Sequence, residues 1–148
     1  MIKLIADSSA DHFVPSANVD FVSVPMTIRA GDRSFTDDDA LNMDEMLNYL
    51  AAYKGKSGTA CPAPAAWLNA FEGSEEIFVV SITSALSGTY GSAMAARELY
   101  LQTHPEVKIH VFDTLTTGPE MRLMLEKLDE LASQGLSFDE IRDRAETY

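Results

Sequence analysis

Ser87-Gly88-Thr89 stands where the apolar run Ile77-Phe78-Val79-Val80-Ser81-Ile82 gives way to a helical pattern. The first turn of a helix at that point offers unpaired N–H groups and the positive end of its dipole. Ser87 and Thr89 add hydroxyl donors, and Gly88 removes the side chain that would block close approach. The set suits an anion. A serine in this place also serves as an ordinary helix cap, and both roles stand open. The second candidate is Thr59, in Gly58-Thr59-Ala60-Cys61-Pro62-Ala63-Pro64. Two prolines restrain that segment, so a hydroxyl there would lose little entropy on binding, although a plain proline-rich surface loop has the same composition.

Other chemistries find less support. A serine hydrolase needs a base and an orienting acid, and Ala85 stands where the Gly-x-Ser-x-Gly elbow requires glycine. No Gly-x-x-x-x-Gly-Lys loop or Gly-x-Gly-x-x-Gly fingerprint occurs. His12, just beyond the first strand, supports a rival reading as a phosphocarrier of the sugar-transport type, since neutral imidazole can accept a phosphoryl group; a solvated turn residue is the plainer account. His104 and His110 read as structural, Cys61 as an ordinary thiol, and Asp37-Asp38-Asp39 as a solvated loop.

The 148 residues suit one domain with one core. Lys and Arg number 11 against 23 Asp and Glu, a net charge of −12 that repels phosphate backbones and argues against a nucleic-acid partner. The same field disfavours an acidic ligand at long range, so local donors must overcome it. A single cysteine excludes an intramolecular disulfide, and the opening segment meets Asp7 too soon for a secretory or membrane-spanning stretch. A cytoplasmic location without a membrane span is the expectation.

The elements that must position the candidates follow from periodicity. Ile2 to Ala6 reads as a strand closed by Asp7-Ser8-Ser9. Phe21 to Ile28 reads as one apolar stretch at an edge or bulge because of Pro25, and Gly31-Asp32 turns it into a hairpin toward Ser34-Phe35-Thr36. Asn42, followed three residues later by Glu45 reaching back to it, caps a helix with Met43, Met46, Leu47 and Leu50 on one face, and Gly55 to Pro64 reads as loop. Trp67, Leu68 and Phe71 mark a second helix stopped by Gly73, and Ala93, Ala96 and Tyr100 the sheet-facing side of a third. Lys108 to Phe112 is a strand. Met121, Leu125, Leu128 and Ala132 mark a helix ended by Gly135, and Ser137 to Glu140 opens a last one with a capping box. Strands alternating with helices imply a three-layer α/β/α sandwich with a mostly parallel sheet, its ligand site beyond the strands' carboxyl ends.

Asp7-Ser8-Ser9-Ala10-Asp11, Thr59-Ala60-Cys61-Pro62-Ala63-Pro64, Ser84-Ala85-Leu86-Ser87-Gly88-Thr89-Tyr90 and Val111-Phe112-Asp113-Thr114 together resemble the DegV family of bacterial fatty-acid-binding proteins. The resemblance implies a carrier, not an enzyme, that needs no cofactor. It would hold a long-chain fatty acid with its carboxylate at Thr59 and Ser87, among Ser8, Gly88 and Thr89, and present it to a fatty acid kinase. The family pattern usually has glutamine where Cys61 stands and small residues at Pro119 and Glu120. Family members typically continue into a second domain that closes over the acyl chain. The expectation for residues 1–148 is therefore the N-terminal domain without the lipid-closing one, weak lipid binding or none by the chain alone, and exposed apolar surface beside the site.

Overall fold

The computed structural model describes residues 1–11 and 13–148. In chain order the elements are β1 (Ile2–Asp7), a single 3-10 turn (Ser8–Ala10), β2 (Val19–Val24), β3 (Thr27–Ala30), β4 (Arg33–Thr36), α1 (Met43–Ala52), β5 (Ser57–Ala60), α2 (Pro64–Phe71), β6 (Glu76–Ser81), α3 (Thr89–Thr103), β7 (Lys108–Asp113), α4 (Gly118–Ser133) and α5 (Phe138–Glu146). The main sheet has the order β2-β1-β6-β7 and is parallel throughout. It forms the centre of three α/β/α layers.

Successive side chains of a strand point to opposite faces, so a strand buried on both faces must be apolar at every position. In β6, Phe78 and Val80 face α4 and α5 together with Leu4, Ala6 and Phe112, whereas Ile77 and Val79 face α2 and α3 together with Ile5, Ile109 and Val111. Met121, Leu125, Leu128 and Leu131 close the first core, and Phe138 of α5 stacks on Phe78 with ring centroids 4.4 Å apart. Trp67, Phe71, Ala93 and Ala96 close the second, where the small residues of α3 let its backbone lie close to the sheet. The expected capping box is present: Ser137 Oγ accepts the Glu140 amide, and the Glu140 side chain accepts the Ser137 amide.

Four local expectations change. Phe21 to Ile28 is not one stretch: Pro25 ends the edge strand β2, and after Met26 the chain enters a separate antiparallel sheet of order β4-β3-β5. Proline cannot donate to a ladder, and a change of sheet needs no donor there. The segment read as loop contains β5, whose Thr59 pairs with Ile28. Gly58 and the small neighbouring residues carry no alternating apolar signal, so only the partner strand reveals it. The expected apolar face of α1 is only partly used, since Met46 is buried while Met43 and Leu47 are 52% and 53% exposed. Asn42 does cap that helix, accepting the Glu45 amide at 3.0 Å, but the Glu45 side chain reaches Arg33 rather than returning to the cap. The small sheet and α1 contribute to neither core; they pack on each other through Phe35 and Tyr49, and the Tyr49 hydroxyl donates to Ala30 O at 3.1 Å.

Phe78 is fully buried between the sheet and Phe138. Phe78→Ala is expected to lower the unfolding free energy by about 3–5 kcal/mol in urea titrations. A loss under about 1 kcal/mol would mean the two-core packing is wrongly drawn.

Candidate functional site

The carboxyl ends of β1, β6 and β7 meet on one rim. β1 ends at Asp7, which has no exposure to solvent. Its carboxylate accepts the Ile82 amide at 2.8 Å, the Ser9 amide at 3.1 Å, and the Ser9 hydroxyl. Burial pushes its pKa above the ordinary 3.8, opposed by the Ser9 hydroxyl and the Ile82 and Ser9 amides. At the end of β7, Asp113 accepts the Ser84 amide at 3.0 Å and the Ser84 hydroxyl. Burial acts to raise its pKa as well, but these Ser84 bonds and the Leu115 amide outweigh it and hold the carboxyl below its usual range. One carboxylate on each side therefore grips the segment leaving β6.

Thr83 shapes that segment. Its carbonyl accepts the Leu86 and Ser87 amides at 3.1 and 3.2 Å, its hydroxyl accepts the Ala85 amide at 3.2 Å, and its own amide donates to Thr116 O at 2.9 Å. The chain is thus wound into a tight loop that delivers Ser87 to the mouth of α3. The helix cap itself is Gly88, without a side-chain bond, so the capping reading of Ser87 is corrected. Ser87 Oγ instead accepts the Thr89 amide at 3.3 Å and pairs with Thr89 Oγ1 at 2.8 Å. Thr89 is fully buried behind Ser87, which is half-buried, while Gly88 is exposed. The Tyr90 and Gly91 amides find no acceptor among the described residues, and the first helical bond runs from the Ser92 amide to Gly88 O at 2.9 Å.

Thr59 is exposed on β5. The segment after it folds over the start of α3: Cys61 Sγ lies 3.4 Å from where a Cβ on Gly88 would stand, and the Ser92 hydroxyl donates to Pro62 O at 2.6 Å. The segment carrying Thr59 and the turn carrying Ser87 and Gly88 are therefore neighbours. Ser8 occupies the other flank, where its hydroxyl accepts the Met26 amide at 3.0 Å at the junction of β2 and β3. His12 lies outside the described residues.

Leu86 and Leu115, 75% and 76% exposed, stand on the loops after β6 and β7. Leu115 does so with φ +55°, a conformation that costs a bulky residue steric strain. Two clefts among the described residues do not include Ser87 or Thr59. One of about 620 Å³ is reached by Ser8 but rimmed by Asp11, Asp37, Asp38 and Asp39. The other, of about 920 Å³, opens at the amino ends of the strands among Glu72, Glu75, Glu76 and Glu106. Both carboxylate-lined walls repel an acid; the rim at Ser87 instead offers hydroxyls and free amides. No helix among the described residues is long and apolar enough to cross a membrane.

Sequence reasoning brought Thr83 and Asp113 to the rim but missed the bonds by which Thr83 winds the loop and Asp113 grips Ser84, and it missed Ser92 altogether. Thr83 and Asp113 were visible as strand ends; Ser92 gave no signal, because its partner lies 30 positions away.

A three-layer α/β domain with a rim of hydroxyls and unbonded amides at the carboxyl ends of its parallel strands is the class that these features define. A family model described as "Uncharacterised protein, DegV family" matches residues 1–148, and the chain belongs to that family. It is 46% identical to a DegV domain-containing protein of Streptococcus pneumoniae over 99% of this chain and 53% of that protein. Among solved structures it is similar to the Streptococcus pneumoniae Fatty Acid Kinase (Fak) B3 protein loaded with linoleic acid, at 45% identity and a TM-score of 0.95 over 99% of this chain and 53% of that one. A DegV family protein from Eubacterium eligens loaded with heptadecanoic acid matches at 44% identity and a TM-score of 0.95, over 100% and 53% of the two chains. One from Ruminococcus gnavus, refined with vaccenic acid, matches at 31% identity and 0.91, over 99% and 54%. The chain spans about half the length of the curated relatives it matches. These likenesses lend no support to the phosphocarrier reading of His12.

The raised pKa of Asp7 fixes the sign of a pH effect. A carboxyl that titrates higher in the folded state contributes stability below its unfolded value of 3.8, and that contribution disappears as pH rises through the folded value. The stability of the native chain minus that of Asp7→Asn should therefore fall as pH rises from about 3.8 and then level off. Chemical unfolding at a series of pH values measures it, and a difference that grows with pH would contradict the burial assigned to Asp7.

Proposed function

We propose that this chain holds the carboxylate of a long-chain fatty acid at the rim of its parallel sheet, as the head-group-binding part of a carrier that presents the acid to a fatty acid kinase. The observation that carries the proposal is the meeting of the Thr59 segment with the mouth of α3 beside Gly88. Thr59 and Ser87 donate hydroxyl hydrogen bonds to the carboxylate, and the free amides beyond Gly88 supply the positive end of the helix dipole. Thr89 and Ser8 act from behind: the first orients the Ser87 hydroxyl, and the second fixes the junction that leads to the small sheet.

Leu86 and Leu115 give the first methylenes of the tail an apolar surface, where each buried CH₂ contributes about 0.8 kcal/mol. The relatives that hold linoleic, heptadecanoic and vaccenic acids support the ligand class, and the Fak B3 likeness supports the kinase. The role is binding rather than catalysis. Ser87 pairs with Thr89 and has no imidazole partner among the described residues, so nothing there makes it a nucleophile. Delivery to a kinase that uses ATP goes with a cytoplasmic location. We further propose that closure over the acyl tail belongs to the portion of the longer relatives that residues 1–148 do not match, so that this chain alone binds the acid weakly.

Titration of the chain with a labelled long-chain acid measures the affinity. A dissociation constant in the high micromolar range or weaker is expected, and Thr59→Val with Ser87→Ala should abolish what binding there is. Retention of the full signal by that double variant would refute the head-group contacts. Gly88→Ala provides a finer test: its methyl meets Cys61 Sγ at ordinary contact distance, so Tm should hold while affinity falls, because the methyl stands where the carboxylate approaches. Unchanged affinity in Gly88→Ala would place the ligand elsewhere.

A further inference from the structure

We infer that Ser92 is the positioning residue that sets Thr59 against Ser87 and thereby tunes the affinity of the head-group site, an inference that rests on the fatty-acid reading above. Thr59 and Ser87 belong to different bodies. Ser87 leads into α3, whose Ala93, Ala96 and Tyr100 are part of a large core. Thr59 lies on β5 in the small antiparallel sheet, whose Ala30, Phe35 and Met46 neighbourhood belongs to neither large core. Among the described residues, two serine hydroxyls join this sheet to the main body. Ser8 accepts the Met26 amide just before β3, and Ser92 donates to Pro62 O just after β5.

Among the described residues, Ser92 alone is hydrogen-bonded to both halves of the site. Its amide donates to Gly88 O, next to Ser87 in the chain, and its hydroxyl donates to Pro62 O, three residues beyond Thr59. Pro62 is buried, so its carbonyl needs a donor, and the prolines at 62 and 64 stiffen the segment so that fixing this one carbonyl fixes its path. The Cys61–Gly88 contact adds packing but no direction. Without the Ser92 hydroxyl the Thr59 segment would be held only at its ends, by pairing with β3 and by the packing of Trp67 and Phe71 in α2. Two donors aimed at one carboxylate lose their joint grip when their separation varies.

The full chain with Ser92→Ala, Ser92→Thr, Thr59→Val, and Thr59→Val combined with Ser92→Ala tests the inference by two readouts. Ser92→Ala should weaken displacement of a fluorescent fatty acid about three- to tenfold, Ser92→Thr should restore it, and Ser92→Ala should add nothing once Thr59 is already Val. The lone thiol at Cys61 reports the same segment without ligand, and N-ethylmaleimide should label it several-fold faster in Ser92→Ala and at the native rate in Ser92→Thr. Additive affinity losses, or unchanged labelling in Ser92→Ala, would overturn the inference. If the native chain and all variants take up no fatty acid, the proposed function fails instead, and the labelling rates alone decide the role of Ser92.

Discussion

The carboxylate of Asp7 is the constraint on which the rim depends. Parallel neighbours β1 and β6 pair up to Ala6 and Val80 and then separate, and each must turn away without leaving buried amides unpaired. Asp7 closes the gap by receiving the amides of Ile82 and Ser9. A charged group without solvent costs free energy, and burial accordingly raises its pKa. Its hydrogen bonds offset part of that cost and set the direction in which β6 exits. Thr83 winds the next residues, and Ser87 arrives at the helix mouth as a consequence.

Net charge and local geometry pull in opposite directions in this molecule. A charge of −12 repels an acid at a distance, yet exposed charges are screened beyond about 8 Å at physiological ionic strength. Within that range an anion would meet what is nearest, and beside Ser87 and Gly88 those groups are hydroxyls and amides, with the Asp7 and Asp113 carboxylates engaged by the amides of Ile82 and Ser84. The two clefts rimmed by Asp or Glu show the alternative, volume with acidic groups at the mouth. The proposed ligand class rests on chemistry at a few ångströms rather than on composition or cavity size.

The separation of the small sheet from the two large cores gives the site its mechanical character. A rigid sandwich presents Ser87, while a lighter unit tied by Ser8 and Ser92 presents Thr59. Polar tethers of this kind are individually modest and strongly directional, so they determine geometry more than stability. Leu86 and Leu115, exposed beside them, are the apolar continuation that a head-group site needs if it is to hold a lipid rather than a small acid.

Periodicity made the sandwich legible from sequence: β1, β6 and β7 are continuous apolar runs, and α3, α4 and α5 carry their buried residues at helical spacing, because the patterns that bury a strand or a helix are local. The Ser-Gly-Thr turn and the Thr59 segment were visible for the same reason, as residue types beside a strand end or between prolines. Other features had no local signature. The strand Ser57–Ala60 exists because Thr27–Ala30 lies alongside it, and the stretch from Phe21 to Ile28 divides because its two halves join different sheets. Ser87 gives up the cap to Gly88 because Thr89 faces inward and takes its hydroxyl. Met43 and Leu47 have helical spacing but no surface to meet. Pairings across tens of residues are fixed only when packing brings the partners together, so the amino-acid sequence determined the layers and the chemistry available, and the tertiary structure decided which hydroxyl lies open at the rim and which is buried behind it.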